Sequence, residues 1–357
     1  MPGKRIVILV AGLPPAYNGG TEIATTYTAK YAVKAGHEVH VIALGSGSGK
    51  YQSKDGYHVH MVRTVRVPYL YGLVGLLGVV FKVGIINPDV IHAQGTQMAL
   101  SAFICSLIYE IPYIFYGRGE IYVKFFLKKF LTKLFMYFAY RVIAQTEHMK
   151  KEMLRYLKRD IEVIPNGIEM DCVNAYYHKI CTREQARKWL ALRDDLKVVL
   201  FVGRLRPEKN ARAFIEAMGF IKDANIIGLI IGDGGQFEEL KKLAKDLPVG
   251  FAGNQVNDVA RIFMLASDVL VNTSTSEGFP VTLLEGMAAG LPIVAPDVTG
   301  IKEIIEPFKN GYLTNNSPKS ISTAISVVLN NDHSFMGIEN KAKAREYTWE
   351  KVIEKLY

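Results

Sequence analysis

A chain of 357 residues, 49% hydrophobic and with a formal charge of +9, is long for one core and comfortable for two, which excludes a small stapled domain and a charge-dominated disordered chain. Its three cysteines, Cys105, Cys172 and Cys181, have no metal-ligand spacing and are too few and scattered for a disulfide framework, which fits a reducing, cytoplasmic compartment. The charge is uneven, with 21 Lys and Arg against 12 Asp and Glu in residues 1–180 and 22 of each in residues 181–357, so the first half is expected to meet an anionic surface.

Residues 4–11 (Lys-Arg-Ile-Val-Ile-Leu-Val-Ala) form a continuous β-branched run that predicts a buried parallel strand. An export signal fits less well, because the apolar run is short and ends in Pro14-Pro15. After a loop closing in Gly19-Gly20, residues 21–35 predict a helix capped by Gly36, and residues 38–44 the next strand. This βαβ start lacks the Gly-x-Gly-x-x-Gly fingerprint, which disfavours a nicotinamide dehydrogenase. A flexible loop is expected at 45–50 and a strand at 57–67. Residues 69–81 are apolar with glycines at 72, 75 and 78, but too short to span a bilayer, which takes about 18 or more such residues; a core or interface helix is expected. A strand at 87–92, a helix at 97–110 and a strand at 112–116 precede Gly117-Arg118-Gly119-Glu120.

The stretch Ile121–Ala144 is the most unusual of the first half. On a helical wheel Phe126, Leu127, Phe130, Leu131, Leu134, Tyr137 and Phe138 share one face and Lys124, Lys128, Lys129 and Lys133 the other, with Phe125, Phe135 and Met136 among the lysines. Two readings stand: a core helix with a solvated basic face, or an interfacial helix resting on anionic lipid. Nucleic acid ranks behind lipid because no recognition motif accompanies the charge. Short strands at 142–146 and 161–164 lead to Pro165-Asn166-Gly167-Ile168, a turn that marks a domain boundary.

The second half repeats the α/β rhythm. Residues 197–202 predict a strand, followed by Gly203-Arg204-Leu205-Arg206-Pro207-Glu208-Lys209-Asn210 and a helix. A strand, a glycine turn and two cations five residues apart before a helix start make a diphosphate site: Arg204 offers a planar fork, Lys209 a mobile point charge. Strands at 226–231 and 249–251 follow, each leading into a turn and a helix. A strand at 268–272 then opens into Ser274-Thr275-Ser276-Glu277-Gly278-Phe279-Pro280-Val281 and a helix carrying Glu285. The amides near Gly278 to Val281 lie at the positive end of that helix and suit an anion. Glu277 and Glu285 flank them as acceptors for hydroxyls. An anion cradle between two such acids suits a molecule that is part phosphate and part sugar.

With Ser-x-x-Glu-Gly-Phe-Pro and Glu-Gly-Met-Ala-Ala-Gly-Leu-Pro in view, the chain resembles the retaining, nucleotide-sugar-dependent glycosyltransferases of GT-B fold with a Glu-x7-Glu motif, the group 1 or family 4-like transferases. The resemblance is densest from Val202 to Ile304. It implies an α/β chain of two Rossmann-like domains with parallel sheets facing across a cleft: 1–165 for the acceptor, 166–344 for the donor, and a terminal helix at about 345–357 packed back on the first. It implies that Arg204, Lys209 and Glu277 serve catalysis, and that Gly20, Gly203, Val256, Gly278, Phe279, Val281 and Glu285 bind the donor, the Val256 backbone meeting the base. Many members carry a histidine that touches the donor sugar where this chain has Arg118, so Arg118, with Gly19, is expected on the acceptor or sugar side. Arg118 is open to a phosphate, an acceptor carboxylate, or a structural ion pair with Glu120. No Asp-x-Asp motif is present, and neither metal nor cofactor is expected, the nucleotide sugar being a substrate. The basic, aromatic first half tilts the acceptor toward a lipid-linked molecule and the protein toward the inner face of a membrane. Rival readings are a nucleotide-sugar epimerase of similar fold and a noncatalytic nucleotide-sugar or lipid-binding protein.

Overall fold

Uninterrupted aliphatic runs become strands buried on both faces, because each sheet is covered by helices on both sides. The computed structural model describes residues 3–14, 20–45, 49–64, 70–118, 126–170 and 179–357. The chain divides into two compact units, one of residues up to 167 together with 349–357, the other of residues 168–348.

The first unit runs β1 (Arg5–Val10), α1 (Gly20–Lys34), β2 (Glu38–Gly45), β3 (Gly49–Gln52), β4 (His58–Arg63), α2 (Leu70–Ile86), β5 (Val90–Gln94), α3 (Thr96–Tyr109), β6 (Tyr113–Tyr116), α4 (Phe126–Phe138), β7 (Arg141–Ala144), α5 (Glu147–Leu154) and β8 (Glu162–Val163). Its strands lie in the order β3-β4-β2-β1-β5-β6-β7-β8, parallel except where β3 meets β4. Period-two alternation divides the core. Ile6, Ile8 and Val10 pack with Ala24, Ala29 and Tyr31 of α1, while Val7 and Leu9 pack with Val83 of α2, Cys105 of α3 and Phe135 of α4.

The second unit runs α6 (Arg183–Trp189), β9 (Lys197–Val202), α7 (Ala211–Met218), β10 (Ile226–Ile231), α8 (Phe237–Leu243), β11 (Val249–Gly253), α9 (Asn257–Ala266), β12 (Val269–Val271), α10 (Val281–Ala288), β13 (Ile293–Pro296), α11 (Thr299–Lys302), β14 (Gly311–Thr314), α12 (Pro318–Asn330) and α13 (Ser334–Ala344). Its sheet order is β11-β10-β9-β12-β13-β14, parallel throughout.

The last helix, α14 (Trp349–Leu356), belongs to the first unit. Its buried Trp349, Val352, Ile353 and Leu356 follow helical spacing and join the core behind β1. Trp349 stacks on Tyr27 with centroids 5.6 Å apart, and a Cβ at Gly167 would lie 2.6 Å from the indole, so that turn needs glycine. Arg141 ties the helix end down by donating to the Leu356 and Lys355 carbonyls at 2.6 and 2.9 Å.

Three expectations change. Residues 49 and 50, expected in a loop, open the antiparallel edge strand β3. In α4 the docking face is rotated from the one the wheel suggested: Leu131 and Leu134 of that face pack against the core and Lys133 is exposed as expected, but the edges differ. Thr132, Phe135, Met136 and Ala139 are buried, whereas Phe130, Tyr137 and Phe138 are exposed. Apolar residues surround this helix, so periodicity alone could not choose a face. The core beneath chooses it: Phe135, Met136 and Ala139 join Val7, Leu9 and Cys105, and the Tyr113 hydroxyl donates to the Phe135 carbonyl. Finally, Cys105 is free and buried but Cys181 is disulfide-bonded. The cysteines therefore lend no support to a reducing compartment.

Candidate functional site

In the second sheet the chain winds outward from β9 toward β11 on one side and from β12 toward β14 on the other. The crevice beyond the carboxyl ends of β9 and β12 is thus the topological switch point, where open α/β sheets bind ligands. Both loops singled out in the sequence leave from there.

Short hydrogen bonds hold these loops together. Thr275 N donates to the Glu208 carbonyl at 2.8 Å, and the Thr273 hydroxyl reaches the Asn210 and Lys209 carbonyls at 2.8 and 3.0 Å. The result is Lys209 Nζ 2.5 Å from Glu277 Oε1. Ser274 Oγ and Asn272 Nδ2 donate to the same oxygen at 2.7 and 3.3 Å. Three donors thus fall on Oε1, and among the described residues Oε2 accepts none. Arg204 is exposed and its guanidinium has no partner among the described residues.

Glycines let the loops pack this tightly. At Gly232, with φ +144°, an added Cβ would sit 1.8 Å from the Gly203 carbonyl oxygen; at Gly234, with φ +159°, it would sit 2.4 Å from that of Leu205. The turn after β10 is therefore the backing of the Gly203–Leu205 loop, and Leu205 N donates to the Asp233 carbonyl at 2.9 Å. Gly300 does the same for the other loop: its Cβ would lie 2.4 Å from the Glu277 carbonyl oxygen.

At the start of α10 the Gly278 and Phe279 amides have no partner among the described residues. The expectation for Val281 is corrected, since its amide donates to the Phe279 carbonyl at 3.0 Å, an inverse γ-turn centred on Pro280, φ −83° and ψ 77°. Phe279 packs against Tyr347, ring centroids 5.9 Å apart.

Glu285 stands in the second turn of α10, partly exposed yet enclosed enough that burial raises its pKa, with Glu169 adding to the rise and Arg261 opposing it. Arg261 is held by Glu169 at 2.9 Å, so its charge is shared. A carboxyl with a raised folded pKa costs stability once pH rises through that pKa, and costs none below the unfolded value. Glu285→Gln is expected to raise the melting temperature at about pH 8 and to give no gain at about pH 4. Melting curves at the two pH values check this; an equal change at both would show that charge plays no part.

The other expected residues stand on other elements. Val256 is exposed and immediately precedes α9, beyond the Gly253 turn with φ +67°. Gly20 opens α1 in the first unit, with open space where a Cβ would be, and Gly19 lies outside the described residues. Arg118 is not at an open surface but buried after β6, bonded to Gln94 at 2.6 Å and to Asn166. Asn272, Ser274, Gly232, Gly234 and Gly300 were not foreseen as site residues. Their only signal is position, small or polar residues just past strand ends or at a helix start.

A family model described as glycosyl transferases group 1 matches residues 182–348, and one described as Glycosyltransferase Family 4 matches residues 18–171. An uncharacterized glycosyltransferase of Methanocaldococcus jannaschii is 28% identical over 98% of this chain and 96% of its own length. The Escherichia coli UDP-Gal:alpha-D-GlcNAc-diphosphoundecaprenol alpha-1,3-galactosyltransferase is 32% identical over 43% of this chain and 41% of its own. Among solved structures, HepE of Anabaena in complex with UDP and glucose superposes with a TM-score of 0.80 at 19% identity, covering 99% of this chain and 98% of that one.

Proposed function

Because the chain belongs to the glycosyltransferases, with a family 4 module followed by a group 1 module in the GT-B fold, we propose that it moves a sugar from a nucleoside-diphosphate donor to an acceptor hydroxyl with retention of anomeric configuration. The observation that carries this reading is the Lys209–Glu277 pair at 2.5 Å at the switch point, with Oε2 of the acid open and unpartnered Arg204 on the adjoining loop. Lys209, Arg204 and the Gly278 and Phe279 amides meet the charge that grows on the departing diphosphate, in the role a metal ion would otherwise fill, so they favour the transition state over the bound substrate. Glu277 accepts hydroxyls of the transferred sugar and Glu285 those of the ribose. The acceptor attacks the face the leaving group vacates: the bond from the anomeric carbon to phosphate oxygen breaks, the bond to the acceptor oxygen forms, and the acceptor's proton passes to the leaving phosphate.

A panel of nucleoside diphosphates and their sugars tests this by melting temperature, which rises with any ligand that binds the native state. One nucleoside diphosphate is expected to give a clear rise that Lys209→Ala and Arg204→Ala diminish; no rise with any of them would end the reading. Incubating the responsive donor with and without acceptor separates transfer from epimerisation, and product of inverted configuration would overturn retention.

A membrane-adjacent, lipid-linked acceptor is the finer part of the proposal. It is supported by exposed Leu77, Phe81 and Ile85 on α2, Leu107 on α3, and Phe130 and Phe138 on α4, all on the helical layer outside the same core, together with the basic excess of the first half. The galactosyltransferase relative, by its name, acts on a diphosphoundecaprenol acceptor. No helix among the described residues is long and apolar enough to cross a membrane, so contact would be through side chains at the surface. At low salt the protein is expected to sediment with vesicles of anionic phospholipid, and Phe81→Ser with Phe130→Ser to release it. Equal recovery in the supernatant with and without vesicles would refute the membrane role.

A further inference from the structure

One cation in the first unit is buried without a carboxylate beside it among the described residues, Glu120, the ion-pair partner considered from the sequence, lying outside them. Arg118 is 8% exposed, its guanidinium 4.0 Å from the centroid of the Tyr116 ring. Nε donates to Gln94 Oε1 at 2.6 Å and Nη1 to Asn166 Oδ1. Nη2 has no acceptor, and neither has the amide Nε2 of the buried Gln94 beside it. Among the described residues, none of the charged or titratable groups acting on the guanidinium is an acid. His92, stacked on Tyr116 at 5.5 Å, stays neutral because burial and then Arg118 push its pKa down to about 3.

The place is as informative as the imbalance. Gln94 ends β5 and Arg118 follows β6, strands paired in register, and β5 abuts β1 where the first sheet reverses its winding. This is that sheet's own switch point. The residue after Gln94 is Gly95, φ +75°, which starts the 14-residue helix α3 with no capping side chain, so unpaired amides adjoin the two orphaned donors. Amide oxygens satisfy the hydrogen bonds of a guanidinium but not its charge, and a buried charge that lacks an opposite one is costly to hold. The unsatisfied groups of Arg118 and Gln94 are both donors, one of them cationic.

We propose that Arg118, Gln94 and the uncapped start of α3 form an oxyanion site that takes a carboxylate or phosphate group carried by the acceptor. The assignment to the acceptor rests on the transferase reading, in which the second unit already holds the donor diphosphate; oxyanion binding itself does not. With Nε and Nη1 already engaged, Arg118 Nη2 and Gln94 Nε2 are the two donors left for a carboxylate or phosphate, and the guanidinium charge would select acidic acceptors over neutral ones.

The test uses the full chain carrying Arg204→Ala and Lys209→Ala, so that the donor site contributes no anion binding. Melting temperature is followed against inorganic phosphate and, separately, succinate, at constant ionic strength. A rise with one of them that is lost on adding Arg118→Gln, and weakened by about tenfold in apparent affinity with Arg118→Lys, supports the site and names the group it takes. Arg118→Lys keeps the charge and serves if the Gln variant fails to fold. Rises that are absent, or unaltered by both Arg118 variants, overturn it. So does an Arg118→Gln protein that folds but melts well below its parent without added anion, because the chain itself would then supply the counter-charge. With the Arg204 and Lys209 side chains restored, matched acidic and neutral acceptors give the second readout. The acidic one is expected to have at least about a tenfold lower KM, a preference abolished by Arg118→Gln with donor affinity unchanged. Anion binding without turnover of any nucleotide sugar would defeat the transferase reading and leave the site standing.

Discussion

In a sugar-transfer assay Lys209→Ala is expected to lose about 3 kcal/mol of transition-state stabilisation, on the order of a hundredfold in kcat/KM. The ammonium of Lys209 is held 2.5 Å from Glu277 in a crevice that shields both, where its charge is felt more strongly than in water. Its removal takes a cation from the leaving diphosphate and also frees Glu277 Oε1 from its strongest partner, leaving Ser274 and Asn272. The two effects separate in a double-mutant cycle with Glu277→Gln. If the acid acts only through a correctly placed Lys209, the double variant is scarcely worse than the poorer single one; if it grips the sugar independently, the losses add. Arg204→Ala, which breaks no bond among the described residues, is expected to lower the rate with little change in melting temperature. Full activity in both single variants would remove the diphosphate role from these side chains.

The largest expected loss of stability is at Gly232. With φ +144° and only 1.8 Å between an ideal Cβ and the Gly203 carbonyl oxygen, Gly232→Ala must both strain its own backbone and displace the loop it supports. A cost of about 3 kcal/mol or more is expected, in a unit whose native state stands only about 5–15 kcal/mol below its unfolded chain. The displaced residue precedes Arg204, so the surviving folded fraction should also bind nucleoside diphosphate more weakly. Gly235→Ala is the control, because nothing lies within 4 Å of a Cβ there. Chemical denaturation of the two variants decides the point. Similar midpoints would show that the turn yields and that close packing does not fix the loop.

Much of the architecture was legible because it rests on local rules. The strands at 5–10, 197–202 and 226–231 are single aliphatic runs, and the glycines and prolines between elements mark turns by their own backbone limits. The cations of residues 204–209 and the acids at 277 and 285 could be named because charge next to a strand end and a helix start has a restricted set of uses. Less was legible where a choice depended on partners distant in sequence. The wheel of α4 offered apolar side chains on nearly every side, and only packing against the core beneath it settled which went inward. Arg118 stood out in the sequence only through the family resemblance, with its partner left open. That it is buried beside Gln94 and Asn166, positions 24 and 48 residues away, follows from strand order.

By itself, then, the sequence determined the alternation of strands and helices, the two α/β units and the chemical types placed at strand ends, because these depend on side-chain periodicity and backbone freedom within a few residues. Only the tertiary structure decided that Lys209 meets Glu277 across 68 positions of chain, that Gly232 and Gly300 brace the loops holding them, and that Arg118 has no acid beside it among the described residues. Pairing of charges and close approach of backbones are set by which strands become neighbours, and that depends on burying the whole of each core at once.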